Sequence, residues 1–200
     1  MPMRTAHLRS LSSGIALLLV AITITFFGSA GLYAQEETKN SSEPGWLTLE
    51  TGYLTIYYLP GADLNHIENS LRQRASYFSS DIPGEDASVD EKIRYQFDAL
   101  FRRAEALLDM YPANMHVKIK IFRTRIELND EYEKIFNARE DFKSFYIYKF
   151  NTIYSSEEDI SDSIIAHEMG HAIVDHYFAV IPPETVGELL ASYVDLHLAE

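Results

Sequence analysis

Apolar positions along residues 46–200 fall into runs of two different periods, and the period of each run predicts its element. Residues 46–58 alternate around Thr51-Gly52, which predicts a hairpin. Leu64, Ile67, Leu71, Ala75 and Phe78 return at helical spacing, and Pro83 and Gly84 mark a loop over residues 81–88. Ile93, Phe97, Leu100, Phe101, Ala104, Leu107 and Leu108 form the cleanest amphipathic stripe in the chain. Val117, Ile119 and Ile121 alternate with lysines as a strand, and residues 126–137 read as a short helix. The aromatic-rich stretch 143–154 predicts one strand or a hairpin. Ser155 or Ser156, followed by Glu157, Glu158 and Asp159, has the character of a helix start: a capping hydroxyl, then acids at the positive end of the dipole. Ile160, Ile164, Ile165, Ala172, Ile173 and Val174 supply the apolar stripe of that helix, and Pro182-Pro183 is expected to end it. A second helical pattern covers residues 184–196. The order predicts one small α+β domain over residues 46–200, a mixed sheet with helices packed on it and the last-but-one helix below the sheet's edge.

Residues before 46 differ in kind. Arg4, His7 and Arg9 precede an apolar run from Gly14 to Phe27, and Gly28-Ser29-Ala30 offers a small-x-small cleavage site. Residues 1–34 are therefore expected to be a secretion signal cut after Ala30 or Ala34, making the protein periplasmic or extracellular. The competing reading is an uncleaved anchor, because the apolar run continues to Tyr33, about 20 residues and enough to span a bilayer. Residues 35–45 form a polar linker. The chain has no Cys, which excludes disulfides and lipid attachment at a Cys. Net charge is −13, and loss of a leader carrying two arginines takes it to −15. Such acidity argues against nucleic acid and anionic membrane surfaces as partners.

The candidate chemistry lies in His167-Glu168-Met169-Gly170-His171, an HExxH motif within the predicted helix. Histidines four apart share a helical face and can reach one Zn²⁺ at about 2.0–2.1 Å. Glu168, beside the first ligand, is placed to accept a proton from a water held by the metal. A catalytic zinc takes three protein ligands and keeps one position open. If the chain folds back at the prolines, Glu188 comes level with His171, which favours it as third ligand over Glu184, placed almost in the turn. His176 lies about 140° around the helix from His171 and is expected to face solvent, and His197 falls roughly opposite Glu188. His66 and His116 belong to other elements.

The segment 155–198 resembles the gluzincins, the HExxH-plus-Glu metallopeptidases, and within them the small peptidase-MA-like proteins called minigluzincins. Residues 167–175 are similar to the thermolysin-type helix, including an Asp four residues after the second His. The following Pro-Pro-Glu-Thr-Val-Gly-Glu-Leu-Leu-Ala-Ser-Tyr is similar to the "P-x-x-x-x-E-G-x-A-x-Y" helix of the small proteins. The resemblance implies a zincin-like fold, with His167, His171 and Glu188 as zinc ligands and Glu168 as general base. It differs at Leu189, where the small proteins have Gly, and at Ser192, where the thermolysin type has an Asp supporting a zinc histidine. Asp175 or Asp195 is the candidate for that support, although the ordinary role of each is a solvated surface carboxylate. Tyr193, Tyr148 and Tyr146 are candidate oxyanion donors, against an ordinary role in packing. The leading expectation is hydrolysis of a peptide or protein substrate, with the strand at 144–154 bordering the cleft and pairing with an extended peptide. A zinc-containing binding or assembly protein of the cell envelope, without turnover, is the alternative. A relic without metal is the third class.

Overall fold

The computed structural model describes residues 45–75 and 83–199. The expected signal segment, and the linker up to residue 44, lie outside the described residues. Among those described, no helix is long and apolar enough to cross a membrane.

The architecture is α+β. Strands β1 (Leu47–Glu50) and β2 (Leu54–Tyr58) make the expected hairpin, followed by helices α1 (Leu64–Ala75) and α2 (Val89–Leu108). Strand β3 (Val117–Phe122), helix α3 (Arg125–Phe136), strand β4 (Ser144–Ile147) and strand β5 (Thr152–Ser156) come next, and helices α4 (Asp162–Tyr177) and α5 (Glu184–His197) close the order. The five strands form one sheet in the order β1-β2-β3-β5-β4. The pairs β2–β3 and β3–β5 are parallel, while both outer pairs are antiparallel hairpins. Parallel neighbours need crossover connections, which α1 with α2 and α3 with β4 supply.

Alternation along the strands loads both faces of the sheet. Leu54, Ile56, Val117, Ile119, Ile121 and Ile153 face the main core with α1, α2 and α4. Phe122, Phe145, Ile147 and Tyr154 face a second, aromatic cluster built with Leu128 and Tyr132 of α3. Helix α2 opens with a full capping box between Ser88 and Glu91, which satisfies two orphan amides at its start.

Two boundaries around α4 differ from expectation. Ser155 and Ser156 do not cap a helix: they end β5, paired with Ile121 and Phe122 of β3, and both are fully buried. The acids that follow form a turn, in which Asp159 binds the guanidinium of Arg125 and the hydroxyl of Ser156. The cap is Ser161, whose side chain accepts the Ile164 N–H at 3.3 Å. At the far end α4 stops at Tyr177, with Phe178 extended, ahead of Pro182-Pro183. The prolines instead lead into α5, where Pro183 is the N-cap residue.

Candidate metal centre

Helix α4 is buried without interruption from Ile164 to Asp175. A helix enclosed on every side is held by packing, so side chains that leave it do so from a rigid base. Its neighbour α5 crosses it closely at a glycine. A Cβ on Gly170 would stand 2.9 Å from Ala191 Cα and 3.3 Å from Ala191 Cβ, closer than side chains tolerate. The glycine inside the motif therefore sets how near α5 comes, and with it the reach of Glu188.

The three expected ligands converge. His167 Nε2 and His171 Nε2 stand 3.2 Å apart. Glu188 Oε1 lies 3.6 Å from His171 Nε2, and its Oε2 lies 3.8 Å from His167 Nε2. One ligand atom from each residue falls within 4.8 Å of the others. Neighbouring ligand atoms around a tetrahedral zinc with bonds near 2.0–2.1 Å are about 3.3 Å apart, so only small closing movements separate this arrangement from that of an ion. Glu188 Oε1 is buried and accepts no hydrogen bond, a state that costs about 1–3 kcal/mol unless a cation or donor meets it. The donor set, two imidazoles and a carboxylate, suits Zn²⁺. Glu184, the rival carboxylate, sits exposed in the first turn of α5.

Electrostatics in the metal-free site favour the neutral forms. Burial pushes Glu168 up to about 8, with the charge of Glu188 adding to the effect, while the Ser144 hydroxyl and the Tyr146 backbone N–H pull the other way. Burial also raises Glu188 to about 7, helped by the charge of Glu184. His167 is lowered by burial, against the opposing charge of Asp195. A divalent cation inverts this balance, because it compensates the carboxylates directly.

The supporting residues divide. Asp195 is half-buried, accepts a hydrogen bond from the Ser163 hydroxyl one turn before His167, and acts on His167 through its charge. Asp175 is 3% exposed, so its ordinary reading as a solvated carboxylate is overturned, and its charge bears on Tyr146. His176 is half-buried rather than solvent-facing: Nδ1 stands 3.0 Å from the Ala172 carbonyl and 3.4 Å from the Tyr146 hydroxyl. The Tyr146 hydroxyl donates to Asn151 Oδ1 at 3.1 Å, joining the hairpin turn to α4. Tyr148 packs its ring on His176, and Tyr193 stacks on His197 with centroids 4.1 Å apart. Neither of these tyrosine hydroxyls bonds a ligand residue among the described residues.

Sequence reasoning missed Ser144. Its hydroxyl donates to Glu168 Oε1 at 2.7 Å, with both groups buried. A lone serine at the start of an aromatic strand carries no pattern that would single it out. The spacing signal for Gly170 was present, since it falls inside the motif, but a close crossing is visible only once α5 is placed.

No family model, no curated protein and no solved structure matches this chain.

Proposed function

We propose that the chain is a zinc-dependent peptidase with a zincin-like fold of the gluzincin type. The observation that carries the reading is the convergence of His167, His171 and Glu188 within ligand distance of one another, with Glu168 on the same helical turn. Zinc, when bound, polarises a carbonyl and lowers the pKa of a water it holds. The chain's own residues supply the rest. His167, His171 and Glu188 hold the ion, Glu168 takes the proton from the attacking water and hands it to the leaving amine, and Asp195 supports His167. Strand β4 is the last of the sheet beside α4, and its outer edge is where this reading places an extended peptide; its four residues are buried, so pairing there requires that edge to be uncovered. Export is proposed with this reading, from the N-terminal pattern alone.

The test is hydrolysis of a mixed quenched-fluorescent peptide library by the zinc-loaded protein. Wild type is expected to cleave, and Glu168→Gln to keep one zinc per chain with nearly all turnover lost. A fully active Glu168→Gln variant would remove the base from the scheme.

One observation favours a second reading. His167, Glu168 and His171 are 2%, 1% and 1% exposed, which suits a metal that braces α4 against α5 in an envelope binding or assembly protein. Bound zinc without cleavage of any library member would support that reading over the first.

A further inference from the structure

Ser144 opens β4, the strand that ends the sheet, and its bond to Glu168 joins that strand to the motif helix. Its cross-strand partner is Ser155. Residues directly opposite in an antiparallel pair project from the same face, so both hydroxyls point toward α4. Only one is used: Ser155 Oγ is buried with no hydrogen-bond partner. Glu168 Oε2 is buried too, and lies outside the bond from Ser144, which goes to Oε1. The Tyr146 backbone N–H, two residues along the same strand, also bonds the Glu168 carboxylate, so β4 holds it through a side chain and through its backbone, and with Oε1 fixed on Ser144 the direction of the second oxygen follows.

We propose that Ser144 is a positioning residue, which locks the Glu168 carboxylate to the strand along which a peptide substrate aligns. The bond keeps the base in register with a carbonyl held on β4, and it leaves Oε2 as the working oxygen. The catalytic consequence rests on the peptidase reading; the anchoring of the carboxylate does not. Ser155 is the built-in comparison. It offers the same hydroxyl on the same face of the same hairpin, but without the bond to Glu168.

The experiment compares Ser144→Ala, Ser144→Thr and Ser155→Ala in the full chain, with two readouts. The first is steady-state hydrolysis of the peptide library, with zinc content measured alongside. Ser144→Ala is expected to lower kcat on the order of 10–100-fold with KM within about twofold and zinc content unchanged. Ser144→Thr keeps a hydroxyl and is expected to recover most of that loss, and Ser155→Ala to keep wild-type kcat. Wild-type kcat in Ser144→Ala, or equal losses in Ser144→Ala and Ser155→Ala, would overturn the proposal. The second readout is the crystal structure of zinc-loaded wild type and Ser144→Ala. Glu168 Oε1 is expected to stay on Ser144 in wild type and the carboxylate to rotate in the variant. Release of Ser144 on zinc binding, or an unmoved carboxylate in Ser144→Ala, would overturn it. Intact anchoring in a protein that cuts no peptide would sink the peptidase reading and leave the positioning role standing.

Discussion

Replacing Gly170 by alanine puts the helix crossing under direct strain. The new Cβ would meet Ala191 Cα at 2.9 Å, Ala191 Cβ at 3.3 Å and Val194 Cγ2 at 3.4 Å. Carbon atoms pack best at about 3.5–4.0 Å, so α5 must withdraw by roughly 0.6–1 Å. The nearest atom is backbone, and no rotamer change can relieve it. Overpacking of this kind costs about 1–3 kcal/mol, while alanine in place of glycine within a helix returns about 1 kcal/mol. The expected net effect is a loss of about 0–2 kcal/mol. The larger effect falls on the metal. Glu188 lies three residues before Ala191 on the same helix and moves with it, away from two histidines that remain on α4. Its present 3.6 Å separation from His171 Nε2 already needs slight closing to share an ion. Sites of this kind tolerate misplacement of only about 0.5 Å, so zinc affinity should fall by 10-fold or more. Urea denaturation of the metal-free protein and competitive zinc titration measure the two effects separately. Gly187→Ala serves as the contrast, because its Cβ meets His171 Nδ1 at an ordinary 3.6 Å. A Gly170→Ala protein about 1 kcal/mol more stable than wild type, with unchanged zinc affinity, would refute the reasoning.

Three further outcomes follow from the same geometry. Folded-state values near 8 for Glu168 and near 7 for Glu188, against an ordinary 4.5, mean that the folded state binds these protons more tightly than the unfolded state. Their contribution to the stability of the metal-free protein is therefore full below pH about 4.5 and lost as pH rises through 7 and 8, and thermal melts at pH 5 and pH 8.5 should show the decline. Zinc affinity should run the opposite way, rising by up to about tenfold per pH unit below 7 as Glu188 sheds its proton and levelling above; Glu188→Gln, followed by calorimetry, should flatten that rise. Asp195→Asn should weaken zinc binding on the order of 10-fold with little change in the urea midpoint, and unchanged affinity would mean that Asp195 does not support His167.

Legibility in the sequence followed how local each signal was. The HExxH spacing is fixed by helix geometry alone, so His167 and His171 could be paired without a fold, and Glu188 needed only the height argument across one turn. The hairpin at Thr51-Gly52 and the long α2 stripe were equally local. The start of α4 is hidden in the sequence because Ser155-Ser156-Glu157-Glu158-Asp159 has the composition of a capped helix. The ladder to β3 takes those serines instead, and the turn acids answer Arg125, which lies far away in sequence. Pro182-Pro183 point to a later helix end than the structure has, because prolines stop helices, whereas the chain already leaves α4 at Phe178. Residue type suggests a solvated Asp175 and the angle from His171 a solvated His176, but neither signal contains the elements that cover them: α4 is enclosed through Asp175, and Tyr146 and Tyr148 meet His176. Ser144 and Gly170 act only through contacts with another element, so neither role could be read from its neighbours in sequence.

The central claim is that two imidazoles from α4 and one carboxylate from α5 hold a single zinc ion. Metal analysis of the exhaustively dialysed protein tests it most directly, run on wild type beside His171→Ala. One zinc per chain in wild type and none in the variant is the expected result. A wild type that retains no zinc, or a His171→Ala protein that retains a full equivalent, would contradict it.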